Sequence, residues 1–158
     1  MLEEYLKAMI TGMDAKAECL SKLQVKTDAQ TELLKADNMN WDAFDLLVDE
    51  KDALIDELDK LDDGFQSVFE RIRNELLEHK SQYKSDIAKL QEQIKEVTAK
   101  STTLMASEQR NKELAAGHFA NAKKEIRQSK ATSRVAANYY ANMNQINYID
   151  PQLMDKKK

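Results

Sequence analysis

Glycine and proline are scarce in this sequence: it has three Gly and one Pro in 158 residues, whereas roughly 19 would be expected at average usage. Turns, hairpins and phosphate-binding loops are built largely from these two residues. Their scarcity excludes an all-β sandwich and argues strongly against a Rossmann fold or a TIM barrel. Aromatic residues are also few, with four Phe, one Trp and five Tyr, so the core must be built from aliphatic side chains.

Other features that the sequence lacks limit the possible class of protein. The single cysteine, Cys19, excludes a disulfide framework. No apolar run approaches the roughly 20 residues needed to cross a bilayer, and the first residues lack the basic and apolar regions of a signal peptide. The net charge of −4 and the pI near 5.3 argue against a general nucleic-acid binder. We therefore expect a cytoplasmic protein without membrane insertion and without a nucleic-acid partner.

The residues that are abundant predict long helices. The chain has 24 Lys and Arg and 28 Asp and Glu, mostly among good helix formers. The predicted fold is all-α: an antiparallel bundle of two to three long coiled-coil-like helices with a flexible or weakly helical C-terminal tail. We place the bundle in residues 1–130, with helices at about 1–36, 41–80 and 85–130, and a partner-binding tail in residues 131–158.

The first helix carries one apolar stripe and ends in a polar turn. The stripe recurs at steps of three and four residues, and it comprises Leu2, Leu6, Met9, Met13, Ala17 and Leu20. Its methionines either fill gaps in the core or adapt to a partner. Asn40 is a good N-cap for the second helix, and Met39 and Phe44 have the spacing of a hydrophobic staple around it.

The second and third helices show heptad spacing. The second-helix stripe is Phe44, Leu47, Leu54, Leu58, Leu61, Phe65, Val68 and Ile72, with Lys51 as the interruption. We expect one buried seam that includes Phe44, Leu54, Leu58, Phe65, Ile72, Ile87, Leu90, Ile94 and Val97. Polarity rises between Glu78 and Ser85, where either a turn precedes a helix capped by Ser85 or the two helices form one rod.

Polar residues interrupt the third stripe. Extending its register places Glu108, Asn111 and His118 on the seam. An asparagine on a seam can fix the register of the helices at a cost in stability. The alternative is that the seam has run out of partners there and these side chains lie in solvent.

Charge is distributed unevenly along the chain. Residues 37–63 hold eleven acidic residues and two lysines, a net charge of −9, whereas residues 121–158 have a net charge of +5. Such blocks mark either interaction surfaces or a solvated helix face beside a solubilising tail.

No constellation of residues predicts catalysis. There is no Gly-rich phosphate loop, no nucleophile in a recognisable turn and no pair of His ligands. Glu75 and His79 are four residues apart and are best interpreted as a surface pair. Cys19 is interpreted as a small, buried hydrophobic residue. The sequence therefore predicts no enzyme, no cofactor and no metal site.

A second amphipathic stripe lies in the tail. It comprises Val135, Tyr139, Met143, Ile146 and Ile149. The Asn and Tyr residues around it have low helix propensity, and such a segment often folds only against a surface. That surface is the chain's own bundle, a second copy of the chain or another protein.

Taken together, four segments resemble the FlgN family of flagellar type III export chaperones. They are the Leu-rich first helix with its acidic, Asn-containing turn; FDLLVDEKDALIDEL at 44–58; LQEQIKEV followed by EQRNKEL within 90–114; and the aromatic tail with its Ile–Asp and Met–Asp pairs before the final lysines. The resemblance spans most of the chain and rests on the order and spacing of these segments.

The resemblance implies a cytoplasmic chaperone that binds hook-filament junction (hook-associated) proteins and delivers them to the export apparatus. It also implies that the C-terminal region binds cargo and that tyrosines there contact an export gate component. The implied partner-binding residues are Val135, Tyr139, Tyr140, Met143, Ile146, Tyr148 and Ile149. We expect a monomer or weak homodimer. The alternative hypothesis is a homo-oligomeric structural coiled-coil scaffold.

Overall fold

The computed structural model describes residues 1–125, which form three long helices. These are α1 (Leu2–Lys35), α2 (Trp41–Glu78) and α3 (Lys84–Glu125). No β-strand occurs among the described residues, so the all-α prediction is confirmed. The predicted tail, residues 131–158, lies outside them. None of these three helices is apolar over a stretch long enough to cross a membrane.

The three helices run up, down and up, with α1 in contact with both of the others. Lys26 of α1 meets Glu50 of α2, whereas Tyr5 meets Arg71, so these two helices are antiparallel. Helix α3 is parallel to α1, because its earlier residues contact the start of α1 and its later residues contact the end. Over the described residues, no Cα atom of α2 comes within 8 Å of a Cα atom of α3.

Local sequence signals account for the ends of α2. The Asn40 side chain accepts a hydrogen bond of 3.1 Å from the Ala43 backbone N–H, which confirms its role as the N-cap. Met39 and Phe44 pack in the same apolar cluster, as a hydrophobic staple requires. At the other end, a turn over residues 79–83 separates α2 from α3, so the two helices are not one rod.

The predicted cap of α3 is wrong by two residues. The Ile87 backbone N–H donates to the Tyr83 carbonyl at 3.0 Å, and the helix begins at Lys84. Ser85 therefore lies within the first turn of α3.

Most of the predicted seam is buried, but its register on α2 differs from the prediction. The buried members are Phe44, Leu58, Phe65, Ile72, Leu90 and Val97. Leu54, Ile87 and Ile94 are half-buried. On α2, the positions one residue after the predicted leucines, Val48 and Ile55, occupy the seam, and Lys51 lies between them instead of interrupting it.

The core consists of two apolar clusters rather than one continuous seam. The larger cluster extends from Leu2 to Leu23 of α1 and includes parts of α2 and α3. The smaller cluster comprises Leu34, Phe44, Val48 and Ala115. Met9 and Met13 are buried in the larger cluster, so they fill the core and do not form an exposed contact surface.

Replacing Leu58 with Ala is expected to lower the free energy of unfolding by about 2–5 kcal/mol, because its side chain is fully buried. Leu46 lies on the same helix but is 62 % exposed, so Leu46→Ala is the control and should change stability by less than about 0.5 kcal/mol. Urea denaturation followed by circular dichroism measures both. Equal effects for the two variants would contradict the packing described for α2.

Candidate partner-binding surface

A layer of polar side chains crosses the bundle between the two apolar clusters. All three helices contribute to it, and every member is at most 6 % exposed: Thr27, Gln30, Thr31, Lys51, Glu108 and Asn111. Burying polar groups costs free energy unless they are hydrogen-bonded. The composition of this layer therefore requires a specific network of partners.

The network joins α1, α2 and α3 at one level. The Lys51 ammonium group donates to Gln30 Oε1 at 2.8 Å and also forms an ion pair with Glu108. The Thr27 hydroxyl donates to the same Glu108 carboxylate at 2.9 Å. Glu108 therefore receives hydrogen bonds from both other helices, and Lys51 reaches both other helices.

Asn111 extends the network along the interface between α1 and α3. Its Oδ1 accepts a hydrogen bond of 2.6 Å from the Thr31 hydroxyl, and its Nδ2 donates to the Thr27 carbonyl at 3.0 Å. Glu108 and Asn111 are thus on the seam and buried, so the alternative that places them in solvent is wrong. His118, which the sequence also placed on the seam, is half-buried and bonds the Leu34 carbonyl.

The electrostatics of the layer explain why its members must be paired. Burial lowers the pKa of Lys51, while the nearby Glu108 carboxylate acts in the opposite direction and favours the ammonium form. The bonding of the layer is not complete, because Gln30 Nε2 has no hydrogen-bond partner among the described residues. Such a network often stabilises less than apolar packing would, but its hydrogen bonds favour the alignment of the three helices that pairs these groups.

A second buried ion pair lies within the larger apolar cluster. Lys16 of α1 pairs with Asp62 of α2, and their side chains are 2 % and 6 % exposed. Neither residue was predicted to lie in the core. The signal was present, since both residues occupy positions of the three-four repeat that otherwise holds apolar side chains.

The described residues contain no group suited to holding a metal ion, and their one cysteine is not an activated nucleophile. No group of three His, Cys, Asp or Glu side chains within them could hold a metal ion. Glu75 and His79 are both exposed on α2. Burial and then the neighbouring Glu57 raise the pKa of Cys19 to about 12, and its thiol donates to the Leu54 carbonyl at 3.3 Å. A thiol in this environment is a poor nucleophile.

The outer face of α1 presents two shallow grooves on either side of Val25, which is 65 % exposed. The groove toward α3 has a volume of about 350 Å³, and the groove toward α2 has a volume of about 530 Å³. Both are open and lined by short or aliphatic side chains and lysine stems. They lack the enclosed shape and convergent polar groups of a small-molecule site.

The flanks of α2 and α3 that lie away from α1 form a further candidate surface. Gln93 and Ser107 of α3 bond α1, at Asp14 and Gln24 respectively, so they mark the flank of α3 that faces α1. The opposite flank of α3 holds Thr98, Met105, Lys112 and Phe119 at steps of seven residues. This flank of α3 lies away from the residues that bond α1. We refer to the space between this flank and α2 as the cleft.

A row of seven aspartates lies along the α2 side of the cleft. They follow one another at alternating steps of three and four residues: Asp42, Asp45, Asp49, Asp52, Asp56, Asp59 and Asp63. We call this row the aspartate ladder. At 1.5 Å per residue it is about 31 Å long. It lies on the flank of α2 opposite Leu54 and Glu50, which face α1.

The carboxylates of the ladder act on one another. Partial burial, followed by the charges of Asp62, Asp56 and Asp63, raises the pKa of Asp59. Asp52 makes a further interaction, but none of the other six ladder residues forms an ion pair with a lysine or arginine of residues 1–121. The net charge of residues 37–63 was predicted from the sequence, but the regular spacing of their aspartates was missed. The signal was present, because the seven aspartates follow one another at steps of three and four residues.

The residues predicted to bind partners all lie outside the described residues. They are Val135, Tyr139, Tyr140, Met143, Ile146, Tyr148 and Ile149. On the described bundle, we take the cleft and its aspartate ladder as the candidate surface.

Comparison of the chain with protein-family models, curated proteins and solved structures gives no match.

Removing one charge of the buried pair Lys51–Glu108 should lower the free energy of unfolding much more than removing both charges. We expect Lys51→Met to lower the free energy of unfolding by about 3–5 kcal/mol, because it leaves the Glu108 carboxylate buried without its cation. The double variant Lys51→Met/Glu108→Leu should recover at least about 2 kcal/mol of that loss, since it removes the unpaired charge. Chemical denaturation of the two single variants and the double variant measures the coupling.

The exposed pair Lys22–Glu18 provides the control, with side chains 58 % and 72 % exposed. Lys22→Met should change stability by less than about 1 kcal/mol. Additive losses from Lys51→Met and Glu108→Leu would contradict the proposed coupling.

Proposed function

We propose that this protein is a flagellar export chaperone that binds hook-associated proteins in the bacterial cytoplasm and delivers them to the type III export apparatus. The identity of the cargo rests on the resemblance to the FlgN family. Two features support the general part of the proposal, a helical protein that binds another protein: the all-α bundle of the described residues and the amphipathic stripe in the tail sequence.

One observation carries the proposal. The tail sequence carries a second amphipathic stripe, from Val135 to Ile149, in addition to the stripes that α1, α2 and α3 bury against one another. A stripe at helical spacing is suited to binding a partner helix.

The mechanism follows from what an exported helical protein needs before assembly. Cargo helices that form coiled coils only after assembly must be kept from pairing early. An amphipathic segment of the chaperone can cover their apolar faces in place of the final partner. The complex must also release its cargo at the export gate, so a moderate affinity is required. Under this proposal Tyr139, Tyr140 and Tyr148 contact cargo or the gate component.

Deleting the tail should separate binding from folding. A chain truncated after Lys130 should retain the helicity and unfolding midpoint of the bundle, because it keeps α1, α2 and α3 and the side chains that they bury between Leu2 and Ala115. It should lose most of its affinity for purified hook-filament junction protein in a calorimetric titration. Tyr139→Ala/Ile146→Ala should weaken binding in part. The matched control, Asn144→Ala/Gln145→Ala, changes the same segment away from its apolar stripe.

Two outcomes would contradict this assignment. Equal affinities of the full and truncated chains would remove the tail from the mechanism and place the binding site on the bundle. Absence of binding by both forms, together with a stable oligomer in light scattering, would favour the homo-oligomeric scaffold instead.

A further inference from the structure

The groove between α1 and α2 combines an apolar lining with charged rims. Its lining consists of Lys22, Val25, Lys26, Glu50, Ala53 and Leu54. The side chain of Val25 is largely exposed beside this groove, and Ala53 is exposed within it. An open groove with an exposed aliphatic side chain at its edge is suited to contact with another protein.

The two rims of the groove carry opposite charges. Lys22 and Lys26 form the α1 rim, and Glu50 lies on the α2 rim, 2.9 Å from Lys26. Burial raises the pKa of Cys19, and the charges of Glu57 and then Lys22 act on that pKa in opposite directions, so both charged side chains lie close to the Cys19 thiol. At two successive levels, therefore, α1 is cationic and α2 is anionic.

The charges are reversed at the next level toward the start of α1. Lys16 and Asp62 pair in the core, and the two helices are antiparallel, so Glu18 and Lys60 lie at the same level. Both of these side chains are exposed. Here α1 is anionic and α2 is cationic. At each of the three levels, the two helices present opposite charges to solvent.

A surface with this pattern is complementary to itself. A two-fold axis along the groove would place α1 of each copy over α2 of the other, in an isologous interface. Each charged side chain of α1 then meets the opposite charge on α2 of the second copy, and Val25 meets the small Ala53. A partner of uniform charge would instead be repelled by one of the two rims.

We propose that the groove between α1 and α2 binds the same groove of a second copy of this chain in a two-fold symmetric homodimer. Helices α1 and α2 of both copies then form an antiparallel four-helix arrangement around the axis. The groove is lined by six residues, whereas a stable interface uses about 20–30 on each side. The dimer is therefore weak and forms reversibly as the protein concentration rises. It requires only this chain and does not rest on the chaperone proposal.

Sedimentation equilibrium of the full chain, at concentrations up to about 1 mM, tests the dimer. The parent protein should shift from monomer to dimer. Lys22→Glu/Lys26→Glu makes both rims acidic, and Glu50→Lys/Glu57→Lys makes both rims basic. Each of these rim variants should raise the dissociation constant by about 100-fold, because like charges then lie opposite one another in the dimer.

Mixing the two rim variants separates complementarity from structural damage. In a mixed pair, the acidic rims of one chain face the basic rims of the other. A heterodimer should therefore form at concentrations at which each variant alone is monomeric. Native mass spectrometry identifies it, because the two chains differ in mass.

Lys89→Glu/Lys95→Glu is the matched control, since it makes the same change in charge at exposed positions of α3. It should change the dissociation constant by less than about twofold. Val25→Asp should weaken the dimer as strongly as the rim variants do, because the dimer would bury its carboxylate. Circular dichroism should show unchanged helicity for all of these variants.

Four results would overturn the proposal. They are a parent protein that stays monomeric at about 1 mM, equal association of the parent and the rim variants, rim variants that fail to associate when mixed, and species larger than a dimer. The last result counts against it because a two-fold interface closes at two copies. In the first case the groove would be left to a protein of another sequence.

No cargo is present in these measurements, so they are separate from the calorimetric test. A dimer restored by mixing the rim variants would support the self-association even if the chain binds no hook-filament junction protein. Cargo binding by a chain that stays monomeric would contradict the dimer and leave the assigned function in place.

Discussion

The ion pair between Lys51 and Glu108 connects two helices whose backbones do not otherwise approach one another. Helix α1 packs against both α2 and α3, but no Cα atom of α2 lies within 8 Å of one of α3 in the described part of the chain. A lysine can bridge this separation because its charge sits at the end of a long stem. A polar contact at the level of Gln30 and Thr27 therefore joins α2 directly to α3, in addition to the contacts that each of them makes with α1.

This constraint explains the division of the core. Apolar heptad stripes pack almost equally well after a shift of one heptad, whereas a buried charge has a low energy only opposite its partner. Lys16 and Asp62 impose the same condition between α1 and α2. The two buried pairs thus relate each outer helix to a defined level of the bundle. We infer that the arrangement gives up some stability in return for a defined register of the three helices.

The sequence predicted the helices better than the details of their interfaces. Asn40 and Met39 marked the start of α2 correctly because capping and stapling are local interactions. Lys51 was misread as an interruption, since its burial depends on Glu108, which is 57 residues away in the chain. Leu54 was placed in the seam because periodicity cannot distinguish a seam position from its neighbouring flank when both are apolar.

The candidate site was predicted less completely than the fold. The acidic block was visible from residue counts, but its position facing α3 requires knowledge of which flank of α2 contacts α1. The tail residues were proposed from spacing and from family resemblance, and they lie outside the described part of the structure. A binding surface formed between two helices depends on their mutual packing, which a single sequence encodes only through distant pairs such as Lys51 and Glu108.

The effect of the buried pair Lys51–Glu108 on the register of the helices can be measured as a distance between α2 and α3. Spin labels at Lys60→Cys of α2 and Thr102→Cys of α3, both exposed positions, would be placed in a Cys19→Ala background. Pulsed electron resonance should give one narrow distance distribution for this protein. With Lys51→Met/Glu108→Leu added, the account predicts a broadened distribution or a second population displaced by about 10 Å, the length of one heptad. The same narrow distribution in both proteins would contradict it, because apolar packing alone would then fix the register.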